Sequence, residues 1–298
     1  MADLARVIGL HEVLQRNGVS SSGSDFEMVY QALVAEPSKK PVAEEVQQAI
    51  RSYFAEIQIP TGTTLYDELL LSLRPTDVIA TFNWDPLLAQ AYKRNRELVL
   101  LPRILFLHGN VELGACIEHQ QKGFLEHSCP TCHQALAPQK LLYPIAEEEY
   151  ELDPLIANEW IEFRDTIEEA YLITIVGYAA PQSDVAARTA MLETWRSNPS
   201  RDFGEIMIVD IKSRSEVQTS WGEFFVRDHY GISEHLRRTW LFNHPRRSCD
   251  HFAMATLQQR PCTNQPLPEF SELADLQEYA RKLMEEERAL QSGTPFPC

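Results

Sequence analysis

Apolar residues recur at helical spacing through the first quarter of the chain. Leu4, Val7, Ile8, Val13 and Leu14 approximate one face. After a polar break at residues 20–24, Phe26, Met28, Val29, Ala32 and Leu33 repeat the pattern, with Ser24 or Asp25 as N-cap. Val42, Val46, Ile50, Tyr53, Phe54 and Ile57 predict a helix over 42–57. Residues 64–73 predict another, closed by Arg74 and Pro75.

The period then changes. Residues 77–82 (DVIATF) and 103–108 (RILFLH) are short, apolar and mostly β-prone, as buried parallel strands are. Asp85 as N-cap and Pro86 in the first turn start a helix between them that runs to about Asn95. After an interruption at 111–140, a helix over 154–170, the strongest strand at 171–177, a helix over 184–195 and a strand at 205–210 resume the alternation. Residues 214–262 read as short helices and aromatic-rich loops, and 261–268 as a linker. Leu273, Leu276, Tyr279, Leu283 and Leu290 mark a charged amphipathic helix whose other face is either solvated or a subunit contact. Strand–helix–strand repetition predicts an α/β fold with a Rossmann-like doubly wound parallel sheet and extra helices.

Composition narrows the classes. The chain has 298 residues and 44% hydrophobic content, enough for a large domain and a small module. No apolar run approaches the ~20 residues that span a bilayer. The start lacks the basic-then-apolar plan of a signal peptide. A soluble cytoplasmic protein is the expectation. With 27 Lys and Arg against 43 Asp and Glu, the net charge of −16 repels phosphate backbones and argues against a broad nucleic-acid surface. Arg237-Arg238 and Arg246-Arg247 are read as solvated surface in preference to a local basic patch.

Six cysteines in such a chain are not a disulfide framework, and Cys249, Cys262 and Cys298 stand isolated. Cys116, His119, Cys129 and Cys132 form a C-x2-H…C-x2-C set. Two compact half-sites facing each other build a tetrahedron, and thiolates with an imidazole favour zinc. Four protein ligands leave no open position, so the metal is expected to be structural. His127 and His133 remain alternatives to His119. Reduced cysteines in a small apolar cluster are the competing reading.

In open α/β sheets, ligands bind beyond the carboxyl ends of the strands. The first strand end carries Thr81, Asn83 and Asp85, the second His108 and Gly109. The third carries Gly177, Tyr178, Ser183 and Asp184, and the fourth Asp210. Glycine at 109 and 177 admits a close backbone approach. Asp210 is placed to bond a ribose hydroxyl. Taken singly, Asp85 reads equally as a helix cap, His108 more often as a hydrogen-bonded structural histidine, and Gly177 as an ordinary αL turn.

These residues together resemble the sirtuin, or SIR2-like, superfamily. Thr81-Phe82-Asn83-Trp84-Asp85 resembles its T-x-N-x-D motif, and Leu107-His108-Gly109-Asn110 its histidine–glycine motif. The cysteine knuckle, followed by Leu136, Pro138 and Pro144, stands where the family inserts a small zinc domain. Ile175-Val176-Gly177-Tyr178 with Pro181 and Asp184 is similar to a segment of the bacterial SIR2-like branch. The resemblance covers roughly residues 25–215, and order and spacing make the set specific.

The resemblance implies NAD+ as substrate, cleavage of its nicotinamide–ribose bond and structural Zn2+. Asn83, His108 and Asp85 would be catalytic. Asn83 would position the ribose or attacking water, and Asp85 the nicotinamide carboxamide. His108 would act as general base with a pKa near 7. Thr81, Phe82, Asn83, Asp85, His108, Gly177, Tyr178, Asp184 and Asp210 would line the cofactor site. Residues 1–112 and 141–262 would form the NAD domain, 113–140 the zinc module, and 263–298 a linker and C-terminal helix. The family's opening strand and Gly-Ala-Gly-x-Ser phosphate loop have no counterpart here. The expectation is an N-terminally incomplete reading frame, which an upstream extension would reveal.

Three functions follow. The first is NAD+ hydrolysis of the bacterial, anti-phage kind, favoured by Trp84 and the Gly177-Tyr178 segment. The second is NAD-dependent protein deacylation, which needs a peptide groove. The third is a non-catalytic nucleotide- or partner-binding module, with self-association or a partner protein left open.

Overall fold

The computed structural model describes residues 8–19, 26–143, 153–178, 185–260 and 263–291. The expected N-cap at Ser24 or Asp25 lies outside the described residues, as do Pro144, Pro181, Ser183, Asp184, Cys262 and Cys298. The chain divides into two compact units. One comprises residues 1–58, 81–87 and 106–159, the other residues 59–80, 88–105 and 160–298.

In the first unit, α1 (Leu10–Arg16), α2 (Phe26–Ala35) and α3 (Lys40–Ala55) form where the apolar spacing placed helices. Their buried faces, including Leu14, Tyr30, Leu33, Val46 and Ile50, share one core with Trp84 and Val111. The helical face thus packs on Trp84 of the first polar motif and on Val111, just after the second. Roughly 2 kcal/mol per buried large apolar side chain holds that packing.

In the second unit, α4 (Leu65–Leu71) opens with a capping box, the Asp67 N–H reaching Thr64 Oγ1 at 3.4 Å and the Thr64 N–H reaching Asp67 Oδ2 at 2.9 Å. Fully buried Asp67 also accepts from Arg94 Nε and from the Asn95 carboxamide, both at 2.8 Å. Arg94 and Asn95 close α5 (Leu87–Asn95), so this network joins the two helices.

β1 (Val78–Thr81) and β2 (Arg103–Phe106) flank α5. The Arg103 N–H donates to the Asp77 carbonyl at 3.2 Å and the Leu107 N–H to the Thr81 carbonyl at 3.0 Å, so donors and acceptors advance together and the pair is parallel. A second parallel sheet has the order β6 (Leu172–Val176), β7 (Glu205–Val209), β8 (Tyr230–Ser233). Leu172 lies opposite Glu205, and Ile206 opposite Tyr230. Helices α7 (Val185–Ser197) and α8 (Arg214–Trp221) connect its strands. This is the α/β architecture expected, with parallel strands and intervening helices. β8 corrects the reading of 214–262 as helices and loops.

Residues 113–138 form an antiparallel sheet of their own. β3 (Leu113–Cys116) is central, with β4 (Gln121–Phe124) on one side and β5 (Ala137–Pro138) on the other. α6 (Pro154–Glu169) follows in the chain.

In the second unit, α9 (Trp240–Asn243) and α10 (Ser248–Thr256) precede the long α11 (Leu273–Gln291). α11 buries Leu276 and Ala280 in a core with Leu73, Val209, Leu236 and Phe242. Arg246 and Arg247 are 1% and 3% exposed, which overturns their assignment to a surface. Arg246 is paired with Glu287 and Arg247 with Glu286. Among the described residues, no helix is long and apolar enough to cross a membrane.

Candidate active site and metal centre

The first strand end turns sharply after β1. Thr81 Oγ1 accepts the Asn83 N–H at 3.0 Å, which leaves the Asn83 side chain exposed. Asp85 Oδ1 accepts the Leu87 N–H at 3.0 Å, the capping contact expected from the Asp-Pro pair. Burial pushes the Asp85 carboxyl above the usual range. The Leu87 N–H and the Asn83 side chain partly offset that shift. Between these residues Trp84 is buried, and its indole N–H donates to the Leu142 carbonyl at 3.0 Å. The motif therefore alternates one anchored apolar residue with two polar ones.

The second strand end lies against the first. The His108 imidazole meets the Phe82 ring edge-to-face at 4.8 Å between centroids. The His108 carbonyl accepts the Leu142 N–H at 2.9 Å, so the backbone of Leu142 holds both motifs. Gly109 has φ +78°, and a Cβ there would stand 2.2 Å from the Lys140 carbonyl oxygen. Only glycine fits that turn. Phe82 thus touches His108, and the backbone of Leu142 bonds to both segments.

His108 differs from expectation in its basicity. It is 9% exposed, and burial drives its pKa down to about 4, not near 7. At neutral pH the imidazole is uncharged and accepts a hydrogen bond readily, but it is a weaker base than an exposed histidine.

The remaining candidates lie in the second unit. Gly177 has φ +64° and donates its N–H to the Val209 carbonyl at 3.0 Å. The Tyr178 ring packs edge-on to Trp221 at 5.9 Å. Asp210 Oδ1 accepts the Lys212 N–H at 3.0 Å, and the Asp210 N–H donates to the Ser233 carbonyl at 3.0 Å. These positions are the carboxyl ends of β6 and β7. Asp184 lies outside the described residues.

The ligand atoms of Cys116, His119, Cys129 and Cys132 all lie within 4.8 Å of one another. Cys116 Sγ is 3.4 Å from His119 Nδ1 and 3.8 Å from Cys132 Sγ. Cys129 Sγ is 3.8 Å from His119 Nδ1. A tetrahedron with bonds of ~2.0–2.3 Å has edges of roughly 3.5–3.8 Å, so the set has the dimensions of a four-coordinate zinc site. The Cys132 N–H points at the Cys129 sulfur and, with the Thr131 N–H, outweighs burial to bring that thiol down to about 6. The His119 N–H acts likewise on Cys116, but burial and the neighbouring thiols leave that group raised overall. Backbone donors aimed at sulfur suit thiolate ligands. Of the three candidate histidines, His119 enters the cluster. His127 instead packs on Phe124 at 5.9 Å, and His133 stands in a turn at φ +59°.

No protein-family model matches the chain, and no curated protein matches it. Solved structures do show a likeness. A Sir2–p53 peptide–NAD+ complex is 16% identical, with 93% of this chain and 90% of that chain covered and a TM-score of 0.37. A Sir2 homologue–NAD complex is 12% identical, with 91% and 87% covered and a TM-score of 0.35. A structure described as the structural basis for sirtuin substrate affinity is 16% identical, with 82% and 81% covered and a TM-score of 0.35. At these TM-scores the likeness assigns neither fold nor function, and the functional reading rests on the residues themselves.

Proposed function

We propose that the chain is a SIR2-like enzyme that binds NAD+ and cleaves its nicotinamide–ribose bond by hydrolysis. The observation that carries this reading is the joining of the Thr81–Asp85 and His108–Asn110 segments, with exposed Asn83 beside half-buried Asp85, and His108 on Phe82. Asn83 positions the ribose or the attacking water. Asp85 engages the nicotinamide carboxamide through its carboxyl group. Neutral His108 accepts the proton of a ribose hydroxyl or of water. The bond breaks through an oxocarbenium-like centre, so fixed dipoles and excluded water matter more than a strong base, which fits a histidine of low pKa. Thr81 and Phe82 complete the cofactor-lining set of this unit under this reading.

Residues 113–140 form the zinc module in this proposal, with Cys116, His119, Cys129 and Cys132 holding the metal. Zinc there supplies folding free energy and no reactive position. The setting in anti-phage defence and the cytoplasmic location come from the sequence resemblance and the sequence composition respectively.

Incubation of the full chain with NAD+ alone, then with NAD+ and an acylated peptide, tests the reading. Nicotinamide release with NAD+ alone is the expected result. Release only with peptide selects deacylation, and release in neither overturns both. Asn83→Ala should lower turnover at least ~100-fold, the scale of a lost positioning or proton-transfer group. Its exposed site should keep the melting temperature nearly unchanged. Full activity in that variant would place the chemistry elsewhere.

A further inference from the structure

Asn110 is 1% exposed, and both polar atoms of its carboxamide are engaged, the nitrogen across to the other motif loop and the oxygen within its own. Its amide nitrogen donates to the Asp85 carbonyl at 2.6 Å and stands 3.4 Å from the Asn83 carbonyl. Its amide oxygen accepts the Glu112 N–H at 3.0 Å. The next N–H, that of Val111, donates to the Trp84 carbonyl at 3.1 Å. Residues 110 and 111 thereby take three consecutive carbonyls of the loop that carries Asn83 and Asp85.

A carbonyl held at its oxygen fixes the plane of its peptide and hence the directions of the flanking side chains. The holding side is itself immobile. Gly109 fits against the Lys140 carbonyl with no room for a Cβ, and the His108 carbonyl is bonded to the Leu142 N–H at 2.9 Å. A neutral amide is the side chain that suits the position, because it offers donors to the two carbonyls and an acceptor to Glu112 together. An aspartate keeps the shape but turns acceptors toward carbonyl oxygens.

Resting on the NAD+-cleaving reading, we propose that Asn110 is a positioning residue that sets Asn83 and Asp85 against His108 through the backbone of residues 83–85. It acts without touching substrate.

The test uses the full chain as wild type, Asn110→Ala and Asn110→Asp. Misplacement of reacting groups by an ångström costs up to ~100-fold in rate, so kcat for nicotinamide release should fall about 10- to 100-fold in both variants with KM for NAD+ within about 3-fold. The Asn110→Asp rate relative to wild type should recover as the pH falls from about 8 to about 5.5, because a protonated carboxyl regains a donor and burial against carbonyls favours protonation. Amide exchange should quicken across residues 81–87 and stay as in wild type across 113–139. An unchanged kcat, or faster exchange throughout the chain, overturns the assignment. If wild type itself releases no nicotinamide, the NAD+ reading fails separately. Exchange across 81–87 then still decides the positioning claim, and no change there refutes it.

Discussion

His108 shows how one burial sets both chemistry and stability. Its environment is the Phe82 ring and the closed loop around it, and its pKa is about 4 against 6.5 for an exposed histidine. The sign of the stability effect follows from proton binding. Below pH 6.5 the unfolded chain takes up a proton at this site, and the folded chain does so only near pH 4. Folding stability is therefore complete above the unfolded pKa and is lost as the pH falls through that window. At pH 5 the loss from this one group is about 2 kcal/mol. His108→Gln removes the titration. Urea unfolding at pH 7.5 and pH 5 should show wild type losing about 2 kcal/mol more than the variant. Equal losses would mean that the imidazole is hydrated in the folded protein.

At the scale of elements, α11 is fastened by charge as well as by its apolar face. Arg246 sits at φ +61° with its guanidinium fully buried. It pairs with Glu287 at 2.6 Å and 3.1 Å and donates to the carbonyls of Leu73 at 2.8 Å and Leu100 at 3.2 Å. Arg246→Met removes all of these while keeping the stem, and leaves two carbonyls unpaired and Glu287 with Arg74 alone, at 3.8 Å. The expected cost is about 3 kcal/mol, in the range for breaking a buried pair from one side. Arg281→Ala on the same helix removes an exposed pair with Glu278 and should cost less than about 0.5 kcal/mol. Equal denaturation midpoints for the two variants would refute the clamp. This arrangement was hidden in the sequence, where Arg246-Arg247 is an ordinary basic pair. Burial of a charge depends on which acids a distant helix supplies, and no local pattern records that. The helices and the strands β1, β2, β6 and β7 were legible because their apolar periods are long enough to stand out. β8 was not, since Tyr230-Gly231-Ile232-Ser233 contains a glycine and one aliphatic residue. That glycine lets the Met207 side chain of the neighbouring strand pass, with Met207 Cε 2.3 Å from where a Cβ would stand. The site was legible as a set of motifs. The link through Asn110 and Leu142 was not, because backbone carbonyls carry no sequence signature. The pKa of His108 likewise depends on tertiary burial.

Across the whole molecule, the proposed zinc is the component besides the chain itself on which folding would depend most. β3, β4 and β5 are short, with two to four residues each, and sheets so small rarely stand on backbone pairing alone. Three sulfurs and a ring nitrogen at tetrahedral spacing provide the missing constraint. Metal binding free energy then appears as folding free energy, available only when the thiols are deprotonated. The prediction is about one zinc per chain by elemental analysis of the purified protein, as a closed four-ligand site requires. Cys129→Ala should reduce that to a small fraction, because Cys129 is fully buried at the centre of the knuckle. Chelation should raise amide exchange across residues 113–139 first, while the parallel strands at 172–176, 205–209 and 230–233 stay protected. Val209 of those strands packs in a core with Leu236 and Leu276. Exchange that rises uniformly after chelation would show that the metal supports the entire fold, and an unchanged pattern would show that the cysteines are merely reduced and packed.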